Sequence, residues 1–218
     1  PDPDAPDFTT KPSDLLNPGV EEPIGGAAIP VDASMQFRDG DNIAVIGDGI
    51  TAMDYYVEYL TEIYAAKKPD EKIKFYNMGI EGAEASSAGE ALDREFELIK
   101  EYDNVTPNKA MIMLGMNDAN KSSDETDETN IEAYAANMSA LIDEVRANGV
   151  EDITIMSSSP YDDNLQSDAA DDIADGYIGA RERLFGYARE LERIAKDKDC
   201  PFIHLTKIMY QLLHEYQK

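Results

Sequence analysis

Asn42-Ile43-Ala44-Val45-Ile46-Gly47-Asp48-Gly49-Ile50-Thr51 joins an apolar run to a turn and then to an amphipathic run. Ile43 to Ile46 form an unbroken apolar run, the pattern of a strand buried on both faces of a sheet. Gly47-Asp48 interrupts it with turn residues, and an amphipathic run follows that Thr51 is expected to open as a helix cap. Residue 49 then stands at the carboxyl end of the first strand, the edge at which open α/β sheets bind ligands.

Outward from this stretch the two periodicities alternate. Strands are expected at 42–47, 72–77, 109–115, 152–157 and 201–205, and helices at 51–67, 84–102, 130–148, 174–197 and 206–217. Strand-helix alternation implies right-handed crossovers and a parallel sheet. In the second helix Ala88, Leu92, Phe96 and Ile99 form a stripe for packing on a sheet, while Glu90, Asp93, Arg94, Glu97 and Lys100 cover the other side. Ile131, Tyr134, Met138, Leu141, Ile142 and Val145 do the same in the third, which Asn148-Gly149 stops. Tyr55, Tyr56, Tyr59 and Tyr64 share the first helix; their helical spacing reads as core and rim in preference to an aromatic sugar platform.

Residues 1–34, with the run Pro1-Asp2-Pro3-Asp4-Ala5-Pro6-Asp7, lack a sustained period and read as a linker or an arm; residues 35–218 form one domain of ordinary size. Because the chain begins at Pro1, it is expected to be a processed or excised product, and the acidic arm points to an extracellular or cell-surface protein. The formal net charge of −26, from 45 acidic and 19 basic residues, argues against nucleic acid and anionic membrane surfaces as partners. No run of 18 apolar residues offers a membrane span. The acidic runs at 124–128 and 168–175 lack EF-hand spacing, so neither a metal nor a cofactor is expected. The single Cys200 has no partner for an internal disulfide.

Three strand-end blocks carry a more specific signal: Gly47-Asp48-Gly49, then Asn77-Met78-Gly79-Ile80-Glu81-Gly82-Ala83, then Gly115-Met116-Asn117-Asp118. In this order they resemble the SGNH or GDSL hydrolases, whose first block reads Gly-Asp-Ser. Arg38-Asp39-Gly40-Asp41 and Ser159-Pro160-Tyr161-Asp162-Asp163 resemble its carbohydrate-esterase and acylhydrolase branch. The resemblance covers about residues 36 to 216 and implies a three-layer α/β/α sandwich with a five-stranded parallel, flavodoxin-like sheet. It also implies an oxyanion hole from the main-chain N–H groups of Gly49 and Gly82 and the side chain of Asn117, with Asp48 orienting the turn and Met116 and Tyr161 on the substrate rim. Gly79 lies close to Gly82 and competes with it for the structural role.

Two parts of that machinery are not written in the chain. Gly49 occupies the position of the family's serine nucleophile, and neither His204 nor His214 has an aspartate three residues before it, so the family's Asp-x-x-His base is missing. Acyl transfer through a covalent intermediate needs a nucleophile with a base beside it, whereas an oxyanion hole needs only donors. Thr51 and Cys200 are weak substitutes. The expectation is therefore an esterase or acylhydrolase fold for a small or carbohydrate-linked ester, catalytically inactive as written. The alternative is a natural non-catalytic SGNH-like domain that binds a ligand or partner. A missing C-terminal block would further leave an apolar surface beside the first strand, to be covered by residues 1–34, a second chain or a C-terminal piece.

Overall fold

A computed structural model describes residues 36–119, 128–161 and 180–216. The arm at 1–34, both acidic runs apart from Glu128, and the first residues of the helix expected from 174 lie outside the described residues. Five parallel strands, β1 (Asn42–Gly47), β2 (Lys74–Gly79), β3 (Lys109–Leu114), β4 (Asp152–Ser157) and β5 (Phe202–Ile203), are ordered β2-β1-β3-β4-β5. The helices are α1 (Gly49–Ala52), α2 (Tyr55–Lys67), α3 (Leu92–Asp103), α4 (Met116–Ala119), α5 (Glu128–Ala147), α6 (Ala180–Asp197) and α7 (Leu205–Tyr216). This is the flavodoxin-like strand order, whose direction reverses between β1 and β3.

Period two along each strand divides the core between the two faces of the sheet. Ala44, Ile46, Ala110, Ile112, Leu114, Ile153 and Ile155 pack with Leu92 and Phe96 of α3, Met138 and Ile142 of α5, and Leu184 and Leu191 of α6. Ile43, Val45, Met111, Met113 and Met156 turn the other way, where Tyr56, Val57, Leu60 and Tyr64 of α2 and Leu205 of α7 meet them. The result is the three-layer sandwich.

Several boundaries differ from the sequence reading. The helix expected over 51–67 is two pieces, because Asp54 adopts a left-handed conformation at φ 68° and breaks it after Met53. Asn77 holds the break: its Nδ2 donates to Thr51 O at 2.8 Å and to Asp54 Oδ1 at 2.6 Å. Asn77 lies within β2 as expected, but that strand runs two residues later, to Gly79. The helix expected over 84–102 begins as a 3-10 turn at Ala88–Ala91 and becomes α-helical only at Leu92. The strand expected over 201–205 shrinks to two residues, with His204 just beyond it.

The uncovered surface expected beside the first strand is not found. Ile43 to Ile46 are at most 1% exposed. As a strand flanked by β2 and β3, β1 has neighbours on both edges, and Phe37 closes one corner of its second face, its ring 5.4 Å from that of Tyr64 and 5.3 Å from that of Phe75.

Candidate functional site

Two close backbone approaches place the first block. Gly47 and Gly79, paired across β1 and β2, lie directly under α1: a Cβ on Gly79 would stand 2.2 Å from Ala52 N, and one on Gly47 2.0 Å from Thr51 Oγ1. Only glycine lets the short helix rest on the strand ends. Gly79 is thus the packing glycine of its block, which resolves the competition with Gly82. Asp48, buried, caps α1 by accepting from Ile50 N–H at 2.9 Å, and burial raises its carboxyl pKa. The cap is therefore Asp48 and not Thr51.

Thr51 instead lies fully buried inside α1, its Oγ1 hydrogen-bonded to Tyr56 Oη at 2.8 Å. It does not reach the cleft. Gly49 has no packing reason to be glycine, since a Cβ there would meet only Glu81 Cα and Cγ, both at an ordinary 3.8 Å.

The second block enters through a tight turn. Ile80 N–H donates to Gly47 O at 2.9 Å and Ala83 N–H to Ile80 O at 3.1 Å, with Gly82 at φ +75° in the third position of the turn. A type II turn demands positive φ there, which favours glycine. The third block holds this turn from the side. Asn117 Nδ2 donates to Ala83 O at 2.8 Å, and Ala85 N–H donates to both carboxylate oxygens of Asp118 at 3.2 Å. Burial, with Glu84 and Asp48 nearby, raises the Asp118 pKa to about 6 against the opposing pull of the Ala85 N–H. Beneath lies Tyr134, whose Oη donates to Leu114 O at 3.0 Å. Arg183 of α6, 1% exposed, donates from Nε to Ala119 O at 2.5 Å.

The three blocks meet in an open cleft of about 430 Å³ at the carboxyl edge of the sheet, where β1 and β3 mark the topological switch. Its lining includes Asp48, Gly49, Met53, Glu81, Gly82, Met116 and Asn117. The predicted residues 48, 49, 82, 116 and 117 are thus brought together. Tyr161 is not among the lining residues and packs against the larger core cluster. Among the described residues the main-chain N–H groups of Gly49 and Gly82 donate to no protein acceptor, and Asn117 has a second amide hydrogen beyond the one given to Ala83. Among the described residues the lining contains no serine, threonine, cysteine or histidine.

His204 stands away from this cleft. Three strand spacings separate β1 from β5, roughly 14 Å. Burial, with the Lys207 charge beside it, lowers its pKa to about 4, and its Nδ1 accepts from Lys207 N–H at 3.3 Å. Cys200 is half-buried and its thiol pKa is raised by that burial. A larger groove, about 590 Å³, runs between α5 and α6, but no strand-end residue lines it, and Arg193 there is paired with Glu190 and Asp197. Among the described residues no cluster of three His, Cys, Asp or Glu side chains could hold a metal, and no helix is long and apolar enough to cross a membrane.

Sequence reasoning missed the clamp made by Asn77, Asp118, Tyr134 and Arg183. The signal for Asp118 was its place beside Asn117; for Arg183 it was an arginine on a helix face otherwise apolar, with Phe185 and Leu184 next to it.

No curated protein sequence matches the chain. Among solved structures, a gut microbial diltiazem-metabolizing enzyme is similar with a TM-score of 0.66 at 20% identity, over 84% of this chain and 40% of that one, so the chain spans well under half of that enzyme. A catalytic mutant of an acetylxylan esterase from Geobacillus stearothermophilus is similar with a TM-score of 0.64 at 21% identity, over 83% of each chain. The lipase/acylhydrolase from Enterococcus faecalis gives 0.59 at 19%, over 78% of each. At these identities the likeness is one of fold. The model of the GDSL-like lipase/acylhydrolase family matches residues 40–216, and the chain belongs to that family.

Proposed function

We propose that this chain binds a small or carbohydrate-linked ester in an SGNH-type oxyanion cleft and does not hydrolyse it through an acyl-enzyme. One observation carries the reading: among the described residues, two main-chain N–H groups without protein acceptors, Gly49 and Gly82, and the Asn117 amide line a single cleft whose lining holds no nucleophilic side chain. The ester carbonyl oxygen accepts hydrogen bonds from these three donors, which act on developing negative charge without reorganising. Covalent attack stops there. Thr51 is sealed against Tyr56, and the described histidine side chain lies at the far edge of the sheet.

The test is calorimetric binding of a non-hydrolysed acetyl ligand together with a turnover assay on an aryl acetate. Saturable binding with hydrolysis at the uncatalysed rate supports the reading. Hydrolysis above background that persists in a Thr51→Val, Cys200→Ala double variant sinks it.

A further inference from the structure

We propose that the outer face of α2 is a stacking platform for an uncharged, hydroxyl-rich saccharide chain whose acylated unit sits in the cleft, an inference that rests on the proposed function. The four tyrosines of this helix divide sharply. Tyr56 and Tyr64 pack on the sheet, whereas Tyr55 and Tyr59 are 69% and 67% exposed. With Ile63 at 46% they form a stripe at i, i+4 and i+8, and Met53, at 68% and two residues before Tyr55 in sequence, lines the cleft. Since α2 leaves the carboxyl edge of the sheet, the stripe leads away from the cleft at about 6 Å per step.

What the stripe is made of selects the ligand. Large apolar side chains left this open mark a recognition surface, and tyrosine offers an apolar ring with a wet hydroxyl. Glu58 and Glu62, exposed on the same side, form no ion pair among the described residues and supply acceptors for hydroxyl groups. No lysine or arginine occurs between Arg38 and Lys67, which ends the stripe one turn beyond Ile63 and farthest from the cleft, and Asp48 and Glu81 add further carboxylates at the cleft. Such a surface repels anions. It offers rings and acceptors to a polyol.

The probes are mono-acetylated xylose, mono-acetylated xylotetraose and a glucosamine tetramer, titrated by calorimetry into the full chain and into a Tyr55→Ala, Tyr59→Ala variant whose circular dichroism matches the parent. The tetraose should bind the parent about tenfold more tightly than the monosaccharide, and the variant should lose that advantage while keeping its monosaccharide affinity. Equal affinity for both lengths, or a length advantage retained in the variant, overturns the platform and leaves the cleft reading standing. If no acetylated saccharide binds at all, both fall. Tighter binding of the glucosamine tetramer than of the tetraose overturns the uncharged class. Sedimentation showing a dimeric parent and a monomeric variant makes the stripe a self-association face and overturns the proposal.

Discussion

Replacing Asp118 by asparagine should stabilise the protein at neutral pH, although Asp118 helps to hold the cleft. Its carboxylate is buried beside Glu84 and Asp48, with the Ala85 N–H as partner, and its pKa is raised from the ordinary 3.8 to about 6. That difference corresponds to about 3 kcal/mol against the charged form in the folded state. The sign follows from proton counting. Between pH 4 and 6 the folded chain holds a proton that the unfolded chain has released, so this contribution favours folding at low pH and is lost as pH rises through 6. Asparagine is neutral throughout, and its single Oδ1 suffices for the one N–H of Ala85. The variant should therefore gain up to about 3 kcal/mol at pH 7 and nothing near pH 4. His204 works oppositely in the same window, since a pKa lowered to about 4 makes folding less favourable as pH falls below 6.5. The measurement is thus the difference between parent and variant in urea unfolding at pH 4 to 8, in which the histidine cancels. A variant less stable than the parent at pH 7, or a difference independent of pH, would refute the reasoning.

Three further outcomes follow from the same geometry. Gly79→Ala should cost about 1–3 kcal/mol by forcing α1 off the strand, while Gly49→Ala stays within about 0.5 kcal/mol; equal shifts in thermal unfolding would contradict this. Tyr134→Phe removes the donor to the buried Leu114 carbonyl and should cost about 1 kcal/mol, read as a lower urea midpoint. Asn117→Ala should weaken binding of an acetyl ligand about tenfold or more by calorimetry, because it loses both a cleft donor and the tie to Ala83; unchanged affinity would remove Asn117 from the site.

The fold was legible because its signals are local. An apolar run such as Ile43 to Ile46, followed by turn residues and a helical stripe, identifies one strand-helix unit, and repetition identifies the sheet. The candidate cleft was legible for a related reason: a parallel sheet brings successive strand ends to one edge, so residues 49, 82 and 117 line one cleft although they are far apart in sequence. What could not be read depends on contacts between units. The break after Met53 is set by Asn77, some two dozen residues away, and the burial of Asp118 comes from a neighbouring loop with its own N–H to satisfy. Tyr161, placed by adjacency to the fourth strand, is partly buried against the core cluster and is not among the cleft-lining residues.

The three glycines at the end of β1 and β2 separate structure from chemistry. At 47 and 79 a Cβ would overlap backbone or a buried threonine, so those positions are glycine because the fold requires it. At 49 the backbone is not in the left-handed region and a Cβ would touch only Glu81 at van der Waals distance. The turn therefore accepts a β-carbon at 49 without a clash, and the lack of a side chain there bears on what the cleft can do to a carbonyl and not on how the turn packs. Since the N–H of residue 49 is present whatever its side chain, recognition of the acyl oxygen and attack on its carbon are separable functions of one position.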